Sequence, residues 1–454
     1  MGAFHAYDIR GVYGVDFDAA TAYKVGFFIP SLLGVDKVLV GMDCRISSEE
    51  IHDSVIRGIC DAGADVYDMG LSTTPMVYFG TANYGFKASV QITASHNSPE
   101  YNGMKISREN ALPVGLDSGL AQIRDWIESG VETPVAAKRG VVHPFRVHED
   151  YIDFMLRFKE DYSSLKLAFD LSNGMSALVA KDIYGDAPAY IFDEMDGRFP
   201  NHDPNPLIAE NVKPLKDLVR RTGADIGVIF DGDADRVMFV DEKSQFIAPD
   251  LIIALMSRYF IGKRGEVKPR VLQEIRSSKA VAEYLEPLGV DLHTWRVGRA
   301  YAAPRLREMD GLWGGELAGH YYFKDFFYSD SGLLSSMIVL SIVADLKKEG
   351  RTISSVISEM SRYFNSGEIN FRLEKKSEAM DAVRDHFLSK ETPSAFMDFD
   401  GYRAEFPGWW FNIRPSNTEP YLRFICEAVS QQLLAEKVAE TQRILETEFG
   451  AIRQ

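Results

Sequence analysis

Short apolar runs recur along the chain, each ending in a polar loop and followed by a stretch with helical spacing. Residues 38–40 lead into GMDCR, residues 165–169 into DLSNG and residues 270–272 into QEIRSS. The runs have strand length, and the patterns after them predict helices over 49–62, 176–184 and 278–287. A second strand-like run follows in each third of the chain, over 88–93, 225–230 and 311–313. The expected fold class is therefore α/β, with three related units that each deliver a polar loop at a strand end, where open α/β sheets bind their ligands. From about residue 365 the pattern changes. Strand-like residues 408–414 and 421–427 flank the loop RPSNTEP, and a helical pattern over 431–449 closes the chain. This predicts a smaller α+β fourth domain. The expected divisions are 1–145, 146–248, 249–364 and 365–454, and the Pro-rich stretch 197–206 is expected to be irregular.

Composition narrows the class. A chain of 454 residues with 46% hydrophobic and 26% charged residues is long enough for several domains. Its net charge of −16 argues against a general nucleic-acid binder, while leaving room for a few convergent Arg and Lys residues around an anionic small molecule. Cys44, Cys60 and Cys426 form no CxxC pair, which fits free thiols in a reducing compartment. MGAFHAYDIRGVYG holds no signal-like apolar core, and no later run is long enough to span a bilayer. The expectation is a soluble, cytoplasmic protein without nucleic-acid or membrane partners.

Residues 230–236, FDGDADR, carry the sharpest local chemistry. Asp231, Asp233 and Asp235 stand at i, i+2 and i+4, so an extended or turning backbone brings mutually repelling carboxylates toward one point, and Gly232 permits the bend. All-oxygen ligands suit a hard cation such as Mg²⁺. With Glu242 the aspartates also match positions of an EF-hand loop, but Arg236 stands where that loop needs glycine, and DIGVIF and VMFV read as strands. A solvated acidic turn is the plainer alternative.

Residues 93–107 read TASHNSPEYNGMKIS. Ser95 follows a strand-like run and would be presented at its end as a nucleophile or phosphoryl carrier, with His96 and Lys105 as phosphate contacts or acid/base groups. Asn97, Asn102 and Gly103 would shape the loop. Neither GxSxG nor a P-loop is present, so an Asn-rich turn stays open; the aspartate cluster favours a phosphoserine, which is a natural Mg²⁺ ligand. In WGGELAGH, Glu316 can accept bonds from two sugar hydroxyls, and His320 offers a base or a phosphate contact. Arg414, Ser416, Asn417 and Thr418 in RPSNTEP are equipment for cradling a phosphate. Together the four loops describe phosphoryl chemistry on a phosphorylated polyol or sugar.

TASHNSPEYNGMKIS, DGDADR, GELAGH and RPSNTEP, in that order, resemble the four signature loops of the α-D-phosphohexomutase superfamily. AYDIRG near the N-terminus looks most like its phosphomannomutase/phosphoglucomutase branch. The resemblance spans essentially the whole chain and implies four domains around a central cleft, the first three sharing one topology. It also implies a phosphoserine at Ser95, Mg²⁺ held by Ser95, Asp231, Asp233 and Asp235, and interconversion of the 1- and 6-phosphates of mannose and glucose through a hexose 1,6-bisphosphate. By motif, Tyr7 and Arg10 would form the entrance, and Lys105 and His320 would be acid/base candidates. Arg236 would contact the transferring group, and Glu316 would read the sugar. Arg414, Ser416, Asn417 and Thr418 would hold the phosphate that is not reacting. Three positions depart from many relatives: Arg276, Arg299 and Ala318 stand where lysine, histidine and serine are common, which bears on substrate preference. A phosphoglucosamine mutase is the same-class rival, disfavoured by Leu317 where that branch carries glutamine; a phosphoserine-dependent phosphatase is the rival of another class. A monomer or homodimer is expected.

Overall fold

The computed structural model describes residues 2–416 and 421–454. Its chain folds into mixed α/β domains, each built on one sheet. In the first, Asp65–Leu71, Lys37–Met42 and Ala88–Ile92 lie parallel, and Tyr101–Arg108 pairs antiparallel with Ala88–Ile92. The second repeats this order with Ala189–Ile191, Leu167–Asp170, Ile226–Phe230 and an antiparallel Val237–Asp241. In the third, Asp291–Trp295, Arg270–Glu274, Trp313–Gly315 and Tyr321–Phe323 take the same places. The repeat suspected from degenerate sequence patterns is therefore a shared strand order: second, first, third, then an antiparallel fourth. Ile226–Phe230 is buried throughout, as an unbroken apolar run covered on both faces should be, and Ala88–Ile92 is buried as well, with Ser89 bonded to Thr81 and Gln91 to Ser72.

The fourth sheet is antiparallel around Trp409–Pro415 and Tyr421–Ala428, and its last helix, Gln431–Phe449, is capped by Ser430 and ends at the left-handed Gly450. Phe364–Asn365 already pairs with Tyr421–Ala428, so this sheet recruits chain from just before residue 365. No helix among the described residues is long and apolar enough to cross a membrane.

Two expected helices are interrupted. Residues 176–184 become a 3₁₀ turn, Met175–Leu178, and a short helix, Ala180–Tyr184. The break lies at Val179, whose backbone is not helical, while the Met175 amide donates to the Gly232 carbonyl at 2.8 Å and ties the segment's start to the aspartate loop. The helix expected over 278–287 stops at Leu285 and continues as the 3₁₀ turn Glu286–Leu288, because Pro287 has no amide to donate.

Helix Gly332–Lys348 is buried almost along its whole length between the second and third sheets. Ser331 caps it by accepting from the Leu334 amide, and the Gly332 amide donates to the Ala234 carbonyl at 3.2 Å. A Cβ on Gly332 would lie 2.8 Å from the Arg236 carbonyl, so glycine lets the positive end of the helix abut the acidic loop. In the first domain, helices Ala19–Leu33 and Ser48–Asp61 cross at two glycines. A Cβ at Gly58 would sit 2.1 Å from the Tyr23 carbonyl oxygen, and one at Gly26 would sit 2.3 Å from that of Val55. Alanine at position 58 gains about 1 kcal/mol of helix propensity, but overpacking two backbones costs about 1–3 kcal/mol, with no flexible side chain to yield. We therefore expect Gly58→Ala to lower the urea midpoint of unfolding; a raised midpoint would contradict so tight a crossing.

Candidate active site

Each polar loop singled out by sequence joins two consecutive strands of its domain that pair antiparallel. Residues 93–100 join Ala88–Ile92 to Tyr101–Arg108, and residues 231–236 join Ile226–Phe230 to Val237–Asp241. Residues 316–320 join Trp313–Gly315 to Tyr321–Phe323, and residues 416–420 join Trp409–Pro415 to Tyr421–Ala428. Asn417 and Thr418 lie outside the described residues. The remaining predicted site residues, apart from Asp231 and Asp233, line one cleft of about 660 Å³ formed by all four domains, among them Tyr7, Arg10, Ser95, Arg236, Glu316 and Arg414, while Asp231 and Asp233 sit behind it against Ser95 and Lys105.

Ser95 is 1% exposed and has φ +53°, a left-handed conformation uncommon for serine. Its amide donates to Thr93 Oγ1 at 2.8 Å, and its hydroxyl donates to Asp231 Oδ2 at 2.9 Å. His96 Nδ1 lies 3.2 Å from the same hydroxyl. Close approach of the loops depends on Gly232, where a Cβ would meet the Ser95 carbonyl oxygen at 2.4 Å.

Asp231, Asp233 and Asp235 are all 0% exposed, and their ligand atoms lie within 4.8 Å of one another. Lys105 Nζ donates to Asp233 Oδ2 at 2.7 Å and to Asp235 Oδ2 at 2.5 Å, while Thr74 Oγ1 donates to Asp233 Oδ2 at 2.5 Å. Burial opposes the Lys105 charge, but Asp233 and Asp235 outweigh it and hold its pKa well above the usual lysine value. Burial likewise opposes Asp235, yet Lys105 and His320 bring its carboxyl below the ordinary range. Asp231 moves the other way: burial, then the charges of Asp233 and Asp235, push its carboxyl well up. Lys105, with Arg236 3.7 Å from Asp231, thus leaves the three carboxylates short of positive charge. Asp233 Oδ1 and Asp235 Oδ1 are buried without a hydrogen-bond partner. Orphaned carboxylate oxygens in an all-oxygen cluster with a charge deficit fit a hard divalent cation.

Beside this cluster runs a second polar chain. Arg236 Nε donates to His320 Nε2 at 2.9 Å, and His320 Nδ1 lies 2.6 Å from Asp330 Oδ2. Arg299 Nε donates to Asp330 Oδ1 at 2.9 Å, its Nη2 donates to the Ala111 carbonyl at 2.8 Å, and its guanidinium lies over the Tyr78 ring at 3.8 Å. Burial works against the Asp330 charge, but His320 and Arg299 hold its pKa down at about 2. The arrangement places the imidazole proton on Nδ1 and covers the Nε2 lone pair with Arg236. Although Asp235, His320 and Asp330 are close enough to hold a metal, Asp330 is already satisfied by His320 and Arg299. His96 has no such carboxylate among the described residues; burial and then Arg236, Arg10 and Lys105 keep its pKa well below the usual value.

At the other end of the cleft, Glu316 accepts from the Gly298 amide at 3.1 Å and from the Tyr322 hydroxyl. Burial raises its pKa. Arg276 is bidentate on Glu274, at 2.9 and 2.7 Å, and reaches Glu368 at 2.8 Å. Glu368 also accepts from Arg423 at 2.9 Å and lies 3.8 Å from Arg414. One carboxylate thereby gathers three arginines from the third and fourth domains. Arg10 Nε and Arg414 Nε are buried without partners among the described residues, as donors awaiting an anion would be. Tyr7 bridges to the third domain by donating to the Val297 carbonyl at 3.0 Å, and Gly298 leaves room for its ring. Ala318 is part of the cleft wall.

Sequence reasoning missed Arg45, Thr74, Glu274, Asp330 and Glu368. The Asp43–Arg45 spacing in GMDCR and the acidic residue before the Ser331 cap were visible signals. Thr74 and Glu368 left none, since their partners are far away in the chain.

Residues 1–133, 149–244 and 248–363 match the profiles of phosphoglucomutase/phosphomannomutase alpha/beta/alpha domains I, II and III, and residues 368–444 match that of the C-terminal domain. A phosphomannomutase of Escherichia coli is 34% identical over 458 residues, covering 98% of both chains. One from Methanocaldococcus jannaschii is also 34% identical, covering 97% of both. Among solved structures, a phosphoglucomutase/phosphomannomutase family protein from Burkholderia thailandensis superimposes with a TM-score of 0.85 at 27% identity, over 98% of this chain and 97% of that one. Four domain profiles matched in order, and relatives matched nearly end to end, place the chain in the phosphoglucomutase/phosphomannomutase family.

Proposed function

We propose that this protein is a phosphohexomutase that interconverts the 1- and 6-phosphates of mannose and glucose by way of a phosphoserine at Ser95 and a hexose 1,6-bisphosphate. The observation that carries this reading is one cleft with a buried serine hydroxyl against a carboxylate trio at one end and a three-arginine cluster at the other. A monophosphate whose phosphate rests on the arginines points its free hydroxyl back toward Ser95.

Asp231, Asp233, Asp235 and an oxygen on Ser95 would hold Mg²⁺, which supplies positive charge to the transferring phosphoryl group. As the sugar hydroxyl oxygen bonds to phosphorus, the bond from phosphorus to Ser95 Oγ breaks, and the hydroxyl proton passes to a base. Lys105 and His320 are the acid/base candidates. His320 Nε2 can take a proton once Arg236 swings from it onto the transferring group, and Asp330 then supports the imidazolium. His96, kept neutral, adds a contact at Ser95 Oγ without competing for that proton. The bisphosphate turns over in the cleft and the reverse step returns its other phosphoryl group to Ser95.

Arg414, Ser416, Asn417 and Thr418 hold the phosphate that is not reacting, with charge from Arg276. Glu316 reads the sugar hydroxyls, while Tyr7, Arg10 and Arg299 shape the cleft's mouth and wall. Leu317, which offers no side-chain hydrogen bond, favours neutral hexoses over glucosamine.

With Mg²⁺ and a bisphosphate activator, mannose 1-phosphate and glucose 1-phosphate should each be converted to the 6-phosphate, and Ser95→Ala should lose at least about a thousandfold in turnover. Near-wild-type turnover by that variant would sink the phosphoserine reading. Asp330→Asn should keep the fold and lower kcat about 10–100-fold, by loosening His320 rather than removing it; an unchanged kcat would show that the imidazole needs no such support.

A further inference from the structure

Arg45 lies outside every motif that carries the proposed reaction, yet its side chain makes four hydrogen bonds to the Ser95 loop. It is 2% exposed. Its Nη1 donates to the carbonyls of Ser98 at 2.7 Å and Tyr101 at 3.1 Å, and its Nη2 donates to those of Ser95 at 3.0 Å and Asn97 at 2.6 Å. Four carbonyl dipoles of one turn therefore converge on one guanidinium, an arrangement that only a planar fork of donors can satisfy.

The fork is itself held in place. Asp43 accepts from Arg45 Nε at 3.2 Å and from the Arg45 amide at 3.0 Å, and Ser48 Oγ donates to the same carboxylate at 2.5 Å. The Phe199 ring of the second domain lies 4.9 Å from the guanidinium. Gly197 packs behind it; a Cβ there would lie 2.5 Å from Arg45 Cα. The irregular stretch 197–206 thus closes over Arg45, whose charge faces loop carbonyls and Asp43 rather than the cleft.

We infer that Arg45 is a positioning residue for phosphoryl transfer: by gripping the Ser95 carbonyl and its neighbours, it locks Ser95 in its left-handed conformation and keeps Oγ aimed at the carboxylate trio. This rests on Ser95 being the phosphoryl carrier. A left-handed serine is strained and relaxes unless the backbone around it is over-determined. Relaxation would swing Oγ, and any phosphoryl group on it, away from the acceptor while leaving the arginine cluster that binds the monophosphate untouched. Displacements on the order of 1 Å cost about a hundredfold in rate.

The test uses the full-length enzyme, with Arg45→Lys and Asp43→Asn as independent variants. Both keep bulk in the pocket, and the second keeps the guanidinium but frees it. Steady-state kinetics with glucose 1-phosphate should show kcat reduced about 100-fold for Arg45→Lys and less for Asp43→Asn, with KM within about threefold of wild type. Enzyme phosphorylated with glucose 1,6-bisphosphate should release inorganic phosphate to water faster in both variants, while circular dichroism and thermal melting show the domains folded. If Arg45→Lys does not fold, Asp43→Asn decides. Unchanged kcat and unchanged phosphate release in a folded variant overturn the inference, as does a loss confined to KM. Ser95→Ala separates the two claims. A dead Ser95→Ala beside fully active Arg45 and Asp43 variants removes only the positioning role, whereas an active Ser95→Ala removes the phosphoserine reading itself.

Discussion

Three carboxylates with no exposure to water, on alternate residues of one hairpin loop, set the constraint around which the rest of this molecule is arranged. Buried like charges are tolerated only where cations or hydrogen-bond donors answer them. Lys105 answers from the first domain, Arg236 from the loop's own end, and the N-terminus of helix Gly332–Lys348 from beneath. These do not complete the balance. Asp231 is pushed toward its neutral form, and two carboxylate oxygens have no partner, so the pocket is built for a further positive charge. An acidic protein of net charge −16 can in this way present anionic substrates with a cleft governed by cations.

The repeated strand order explains how loops from distant parts of the chain reach that pocket. In each of the first three sheets the third strand of the shared order pairs with an antiparallel fourth, and the hairpin between them carries the functional loop. The fourth sheet uses a hairpin as well, although its strand order differs. Contact between the loops is set by small residues and by bonds across domains. Gly232 sits against the Ser95 carbonyl, Gly298 against the Tyr7 ring, and Glu368 binds arginines of two domains together. A carboxylate among arginines keeps them apart from one another in the absence of an anion and sets their geometry for its arrival.

Local signals made much of this legible in the sequence. The aspartates at i, i+2 and i+4 share one hairpin, so their convergence needed no knowledge of the fold. The last helix was visible because Ser430 and Gly450 mark its ends. What stayed hidden depends on partners far apart in the chain. The Asp43–Arg45 spacing hints at an ion pair, but the role of Arg45 shows only once its four carbonyls, fifty or more positions away, are in view. Glu368 is a single acidic residue in an unremarkable string, and only packing shows that it organises the arginine cluster.

The central claim is that Ser95 passes a phosphoryl group across a cleft whose buried carboxylates require a divalent cation. The most direct measurement is the transfer of labelled phosphate from glucose 1,6-bisphosphate to the purified protein, followed by peptide mass spectrometry and discharge with glucose 6-phosphate. With Mg²⁺ present, the account predicts one labelled peptide, phosphorylated at Ser95, and loss of the label to the sugar; after chelation of Mg²⁺, transfer should nearly stop. Label at another residue, or equal transfer to Ser95 with the metal removed, would contradict it.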